Sequence, residues 1–152
     1  MISQKARYAF KALIALAREG HGASLQAREI SSRESIPQSF LEQILLDLKR
    51  AGIVGSRRGR EGGYTLIKDP TTVSFGQVLR LIDGPVAPLP CLSRTAYRRC
   101  EDCADETRCE LRRVFAKIYD AQVDLLDHTS IGDALLAGPT PDLLSPFLEK
   151  AS

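Results

Sequence analysis

Three short helical segments followed by two strand-like runs occupy the first 67 residues and restrict the folds open to this chain. Apolar residues recur at helical spacing from Ser3 to about Arg18, and the pattern returns over about 25–33 and 38–50. Glycines and a proline separate the three segments. Three short helices in this order are typical of a helix-turn-helix unit.

The strand-like runs cover 53–57 and 63–67, and the five residues between them are all glycine or charged. A connection of this composition predicts a β-hairpin. A hairpin directly after three helices predicts a winged helix-turn-helix, which is a mostly α fold with a small β-hairpin wing. Residues 1–84 are assigned to this domain, which also contains a fourth helix over about 74–82.

The third helix of such a unit enters a DNA major groove by its N-terminal end. Gln38, Ser39 and Glu42 are therefore predicted to face base edges. The charge distribution favours a polyanionic partner for this half of the chain. Residues 1–68 carry 12 Lys and Arg against 6 Asp and Glu, whereas 69–152 carry 9 against 13. Double-stranded operator DNA is the expected partner.

The hairpin supplies a second group of predicted DNA-binding residues. Three arginines are expected to reach phosphate or a minor groove: Arg57, Arg58 and Arg60. Three glycines permit a narrow positive-φ turn and close approach to the nucleic acid: Gly59, Gly62 and Gly63. A solvated turn without a ligand is the alternative, because charge runs commonly face water. The three preceding helices favour the DNA-binding interpretation.

A long helix is predicted over about 106–128. Its apolar residues follow a spacing of three and four: Leu111, Val114, Ile118, Ala121 and Leu125. No second long helix is predicted to receive this narrow stripe, so the stripe predicts a homodimer. Residues 106–137 are assigned to a dimerisation helix with a short helical cap, and 138–152 to a flexible tail.

All four cysteines lie between the two halves, in a predicted cofactor loop over 85–105 and just beyond it: Cys91, Cys100, Cys103 and Cys109. Clustered thiols hold a metal or an iron–sulfur cluster, or change redox state together. Structural zinc is less favoured, because only Cys100 and Cys103 form a close pair. A thiol switch is the other alternative, with Arg98, Arg99 and Arg108 near enough to lower a thiol pKa.

Other classes of protein receive little support from the sequence. The chain leads directly into a helix without a signal peptide, and no apolar run has the length of a membrane span. A cytoplasmic protein without a membrane partner is expected, and in that compartment clustered cysteines are seldom disulfides. His21 and His128 are expected to be solvated or capping residues, and no catalytic constellation appears. An enzyme is not expected.

Several segments resemble the Rrf family of bacterial regulators: Arg7–Ala9, Phe40–Leu45, Leu48–Gly52, Arg58–Gly59 with Gly62–Tyr64, and the cysteine loop before a long helix. The resemblance runs from Ser3 to about Leu136. It implies a homodimeric winged-helix DNA-binding protein, in many members with a [2Fe–2S] or [4Fe–4S] cluster that controls operator affinity. It also implies that Glu42 discriminates between operator classes and that Tyr64 belongs to the wing.

The resemblance also bears on the cluster ligands. Cys103 and Cys109 match the second and third cysteines of the family, while Cys91 and Cys100 both stand where one is usual. One branch of the family adds a His three residues after the last cysteine, where this chain has Arg112, which does not ligate. Another branch adds an Asp from the first helix, where this chain has an arginine. Four cysteines nevertheless suffice for an all-thiolate cluster.

The expected function is a homodimeric transcription regulator, with repression as the expected mode. An iron–sulfur cluster or the thiol state of the cysteine loop would control its operator affinity. Two alternatives stay open: a small metal or electron carrier whose basic half docks an acidic partner, and a cofactor-free thiol-sensing regulator.

Overall fold

In a computed structural model that describes residues 2–138, the chain forms six α-helices and one two-stranded hairpin. The elements are α1 (Gln4–Arg18), α2 (Ala27–Glu34), α3 (Gln38–Arg50), β1 (Val54–Arg57), β2 (Gly63–Leu66), α4 (Phe75–Asp83), α5 (Glu110–His128) and α6 (Ile131–Leu136). The fold is the predicted winged helix-turn-helix with a long helix after it. The predicted flexible tail lies outside the described residues apart from Gly138.

The N-terminal core forms around α1, which begins where the Ser3 side chain accepts a hydrogen bond from the Ala6 N–H at 3.0 Å. Small buried residues such as Ala6, Ala9 and Ala12 let neighbouring helices approach α1 closely. On α3 the buried residues recur at helical spacing: Leu41, Ile44, Leu45 and Leu48. Helices α1 to α4, the hairpin and α6 all contribute to this one core.

The hairpin is antiparallel, with Val54 opposite Leu66 and Arg57 opposite Gly63. It is joined to the segment before α2, because Tyr64 donates its N–H to the Leu25 carbonyl at 2.8 Å and Leu25 donates back at 2.9 Å. This pairing corrects the predicted second helix. Leu25 is used as strand-like backbone, so α2 starts at Ala27 rather than near residue 25.

The long helix α5 begins at Glu110, four residues later than the predicted start at about 106, and Cys109 is its N-cap. Its C-terminal end is attached to the N-terminal core. Phe75 donates its N–H to the Thr129 carbonyl at 2.8 Å, Ile131 donates to the Val73 carbonyl at 2.9 Å, and α6 packs against α1. The other end of α5, at its N-cap Cys109, joins residues 85–109, which contain all four cysteines and are called the cysteine segment below.

Among the helices of residues 2–138, none combines the length and the apolar character needed to cross a membrane.

Candidate DNA interface and cysteine pocket

The N-terminal end of α3 presents the three residues that were predicted to face base edges. Gln38, Ser39 and Glu42 are all exposed, on the side opposite the buried leucines. The Gln38 Nε2 donates to Glu42 Oε1 at 2.9 Å, so the two side chains form one polar group on consecutive helical turns. At the other end of α3, Lys49 Nζ donates to Ser56 Oγ at 2.6 Å and connects the helix to the hairpin.

The hairpin carries the predicted basic group. Arg57, Arg58 and Arg60 are exposed, and none of them has an ion-pair partner within residues 2–138. Unpaired, exposed guanidinium groups at the tip of a hairpin are available to phosphate oxygens. These arginines and the exposed end of α3 both belong to the N-terminal half of the chain.

The glycines of the hairpin have different structural environments. Gly59 is exposed with φ +110°, and a Cβ there would meet nothing within 4 Å. Gly63 has φ +144°, and a Cβ would lie 2.5 Å from the Leu25 carbonyl oxygen. Gly62 is buried, where a Cβ would contact the Arg57 carbonyl oxygen. Backbone packing within the protein thus requires Gly62 and Gly63, whereas Gly59 is free to approach a ligand.

Tyr64 is half-buried in the N-terminal core, to which its backbone is joined through Leu25. It contributes to the attachment of the hairpin, and its DNA-binding role stays a prediction. The same holds for the other residues of the predicted interface.

The four cysteines, although they span 19 residues, all line one cavity of about 520 Å³. Cys91 is buried in a short 3-10 turn over Pro90–Leu92, and the other three are half-buried. The walls also include Leu89, Leu111 and Arg112. All four thiols are free. The structure thus brings together every cysteine that the sequence selected.

The thiols surround the cavity and do not converge on a single point. Within residues 2–138, no three His, Cys, Asp or Glu side chains form a group that could hold a metal ion as they stand. A tetrahedral zinc site needs four sulfurs about 2.3 Å from one centre. A multi-iron cluster is larger than one ion and is ligated by thiolates at its periphery, so four thiols that line one cavity of about 520 Å³ suit a cluster better than zinc.

The pKa of the Cys100 thiol is raised above its ordinary value. Desolvation has the largest effect, followed by its hydrogen bond with Cys91 and by the negative charges of Cys91, Asp102 and Cys103. The expected lowering of a thiol pKa by nearby arginines is therefore wrong for Cys100.

Two of these three arginines, Arg99 and Arg108, have other partners. Arg99 donates to the carbonyl oxygens of Cys103 and Ala104 at 3.0 and 2.9 Å. The Arg108 Nε lies 3.7 Å from Asp105 Oδ2. Their charges are directed to the backbone and to a carboxylate, which explains why they do not activate the thiol.

The outer face of α5 carries the predicted apolar stripe in exposed positions. Leu111, Val114, Ile118 and Leu125 are 64%, 57%, 51% and 69% exposed. The opposite face buries Tyr119 and Val123. Arg94 lies against this inner face, 2.9 Å from Asp120 Oδ1 and over the Tyr119 ring. Because Arg94 belongs to the segment between Cys91 and Cys100, the cysteine segment is attached to α5 at mid-length.

The sequence from 2 to 136 matches a family model described as Rrf2, iron-dependent transcriptional regulator. The chain belongs to the Rrf2 family. It is a helix-turn-helix transcriptional regulator, and its relatives are DNA-binding regulators rather than enzymes.

Three relatives illustrate the range of this Rrf2 family. A Rhodobacter capsulatus protein named rrf2-like HTH-type transcriptional regulator is 51% identical, over 95% of this chain and 99% of its own. The regulator IscR of Vibrio vulnificus is 31% identical, over 88% of this chain and 76% of its own. The solved structure of CymR, the global cysteine regulator of Bacillus subtilis, is 31% identical with a TM-score of 0.71, covering 88% of this chain and 95% of that one.

Sequence reasoning assigned no role to Arg112, a residue of the cysteine pocket. Arg112 was considered only as a position where a His ligand is absent, yet its side chain lines the cavity and its N–H donates to Cys109 Sγ at 3.4 Å. The available signal was its spacing. A residue three positions after an N-cap lies about one helical turn above it, on the same side of the helix.

Proposed function

We propose that this protein is a homodimeric, operator-binding regulator, acting as a repressor, whose DNA affinity depends on an iron–sulfur cluster held by Cys91, Cys100, Cys103 and Cys109. The observation that carries the proposal is the single cavity lined by all four thiols. Thiolates are the ordinary ligands of [2Fe–2S] and [4Fe–4S] clusters. When bound, the cluster supplies a group whose charge and integrity change with iron, oxidant or nitric oxide.

The domain organisation supports the regulatory part of the proposal. The winged helix-turn-helix over 1–84, the cysteine segment from 85 and the long helix follow one another, and the cofactor loop lies between the other two units. Cys109 is the N-cap of α5, so a group bound to its sulfur acts on the first turn of that helix. At mid-helix, Arg94 transmits a movement of the loop to Asp120.

The apolar stripe of α5 supports the homodimer. Its spacing of three and four residues is that of a coiled-coil seam, which buries such residues against a second helix. A second copy presents an identical seam, and two-fold pairing places both copies of the DNA-binding half on one duplex. A change at the start of α5 then alters the separation of the two recognition helices. A coupling of about 1–3 kcal/mol is enough for up to about a hundredfold change in operator affinity.

Cofactor-free thiol sensing is the second candidate, favoured by four free thiols that line one cavity. CymR, named a global cysteine regulator, has a similar fold. The raised pKa of Cys100 is unfavourable to this candidate, because the thiolate is the reactive form. Metal binding displaces the proton and does not need a low thiol pKa beforehand.

The cluster is tested by purifying the full chain without oxygen and measuring iron, acid-labile sulfide and visible absorption. We expect iron and sulfide in equal amounts and absorption lost on exposure to air. Replacing any one cysteine by serine should reduce the iron content. A protein that stays colourless after anaerobic reconstitution, yet loses DNA binding on oxidation, would support the thiol-sensing candidate instead.

Regulation is tested with fragments of the promoter upstream of the protein's own gene. We expect the loaded and cluster-free forms to differ in operator affinity, and both affinities to fall steeply with salt. Arg58→Ala should weaken binding by about 1–3 kcal/mol. The matched control is Arg113→Ala, an exposed arginine on α5 that should leave affinity unchanged. Equal effects of the two substitutions would contradict the wing assignment.

A further inference from the structure

The side chain of Arg112 has a buried atom without a partner. Its Nε is the one buried side-chain nitrogen or oxygen of residues 2–138 that makes no hydrogen bond. Leaving a buried charged donor unpaired costs free energy, and native structures rarely retain such a group without a reason. The location of Arg112 is informative, since this residue lines the cysteine cavity and also a smaller cavity that shares Cys109 with it.

The contacts around Arg112 indicate which group its positive charge can bind. Its backbone N–H donates to Cys109 Sγ at 3.4 Å, and Arg112 lines the same cavity as that sulfur. Glu106 lines the smaller cavity together with Arg112, and its Oε1 accepts a hydrogen bond from the Tyr97 hydroxyl at 2.6 Å, which raises the pKa of Tyr97. Glu106 makes no ion pair with Arg112, so the guanidinium retains donors for another anion.

An iron–sulfur cluster with four thiolate ligands is such an anion. Its reduction potential is set by net charge, solvent exposure and hydrogen bonds to its sulfurs. A donor and a positive charge at its edge stabilise the reduced form more than the oxidised form, because the reduced form carries one more negative charge.

We propose that Arg112 is the hydrogen-bond donor and counter-charge of the group bound by the four cysteines, and that it raises the reduction potential of that group. The inference rests on the proposed cluster. Arg112 acts on the potential without being a ligand, so the cluster assembles without it. Arg112, which stands where one branch of the family has a His ligand, would then tune the potential of the cluster instead of ligating it.

The test compares the full-length wild-type protein with Arg112→Gln, Arg112→Lys and Arg108→Gln after anaerobic reconstitution. Iron and sulfide contents are measured first, then the midpoint potential by dithionite titration followed in visible absorption. In this titration one electron passes from dithionite to the cluster. Arg108 is the matched control, because it lines the same cavity but is 88% exposed and paired with Asp105.

For Arg112→Gln we expect unchanged iron and sulfide and an about tenfold lower ratio of reduced to oxidised cluster at a fixed potential. That ratio corresponds to a midpoint more negative by about 59 mV for one electron. Arg112→Lys, which keeps the charge, should shift in the same direction by a smaller amount. Arg108→Gln should not shift, because water screens its charge.

An unchanged midpoint in Arg112→Gln, or an equal shift in Arg108→Gln, would overturn the inference while leaving the cluster intact. Failure of Arg112→Gln to assemble a cluster, with assembly in Arg112→Lys, would show that the charge is needed for assembly and would overturn the statement that Arg112 acts on the potential alone. A wild-type protein that takes up no iron and sulfide would overturn the cluster and this inference together, and that result is visible before any variant is made.

Discussion

The helices α3 and α5 carry the same kind of apolar pattern but have opposite surroundings. On α3 the residues at core spacing, such as Leu41 and Leu45, are completely buried against the helices and strand around it. On α5 the regular stripe is more than half exposed, and burial is limited to Tyr119 and Val123 on the opposite side. Amphipathic spacing therefore predicts which residues need a neighbour, while topology decides whether that neighbour is in the same chain.

The two regions also differ in how they are fixed. The N-terminal half has one continuous apolar core that extends from α1 through the hairpin to α6. The cysteine segment is attached by a 3-10 turn, turn hydrogen bonds and exposed ion pairs such as Arg94 with Asp120. Such contacts contribute little free energy each, so this segment is the part that a bound group can order.

The largest expected effect separates the two regions with one chemical change. Leu45→Ala removes side-chain atoms from a fully buried site in the N-terminal core and should lower the free energy of unfolding by about 2–5 kcal/mol. Leu125→Ala removes the same atoms from a side chain that is 69% exposed. It should change the free energy of unfolding of the monomer by less than about 0.5 kcal/mol. Urea unfolding at low protein concentration measures both, and similar losses would contradict the comparison.

A charge in the stripe tests whether a second copy covers α5. Ile118→Asp places a carboxylate in the middle of the seam and should raise the dimer dissociation constant at least about a hundredfold, or about 2.7 kcal/mol. Arg113→Asp introduces the same group on the same helix at an exposed position that does not flank the seam, and should leave the constant nearly unchanged. Sedimentation equilibrium measures both. A monomeric wild-type protein at high concentration would exclude the proposed homodimer.

The difference between the regions also explains what could be predicted from the sequence. Helix α3 begins and ends where predicted, because Pro37 and Gly52 are local signals that act on their own neighbours. The start of α2 was missed because Leu25 pairs with Tyr64, a contact between residues far apart in sequence. The start of α5 was missed because its N-cap is a cysteine, which is not among the preferred capping residues.

The cysteine pocket follows the same rule. Its four cysteines were predictable as a group, because all cysteines of the chain fall in one segment. Their arrangement around a cavity was not, because it depends on where the 3-10 turn at Cys91 meets the first turn of α5. The raised pKa of Cys100 has the same origin, since desolvation and Cys91 cause it and neither is local in sequence.

Two glycines of the hairpin differ in what surrounds them, and substituting each one tests that difference. Gly63→Ala must place a methyl group 2.5 Å from the Leu25 carbonyl oxygen at φ +144°, and should lower the free energy of unfolding by about 1–3 kcal/mol. Gly59→Ala meets open space and incurs only the cost of its positive φ, about 1 kcal/mol. Thermal unfolding of the two variants measures the difference. A larger loss in Gly59→Ala would contradict the role of Gly63 in joining the hairpin to Leu25.

The smallest expected effect concerns two ion pairs, one in each region. The hydrogen bond from Lys5 to Asp47, at 2.8 Å, is the main cause of the lowered pKa of Asp47, and it connects α1 to α3. A carboxyl group with a lowered pKa stabilises the fold above its ordinary pKa of 3.8, and this contribution disappears as pH falls through the lower, folded-state value.

Asp47→Asn should therefore cost about 0.2–1 kcal/mol at pH 6 and almost nothing at the most acid pH at which the protein still unfolds reversibly. Asp120→Asn breaks the pair with Arg94, in which both side chains are mostly exposed to water. It should therefore lower the free energy of unfolding by less than Asp47→Asn at pH 6. Urea unfolding from pH 6 downward measures both, and a cost of Asp47→Asn that does not depend on pH would show that its ionisation contributes nothing to stability.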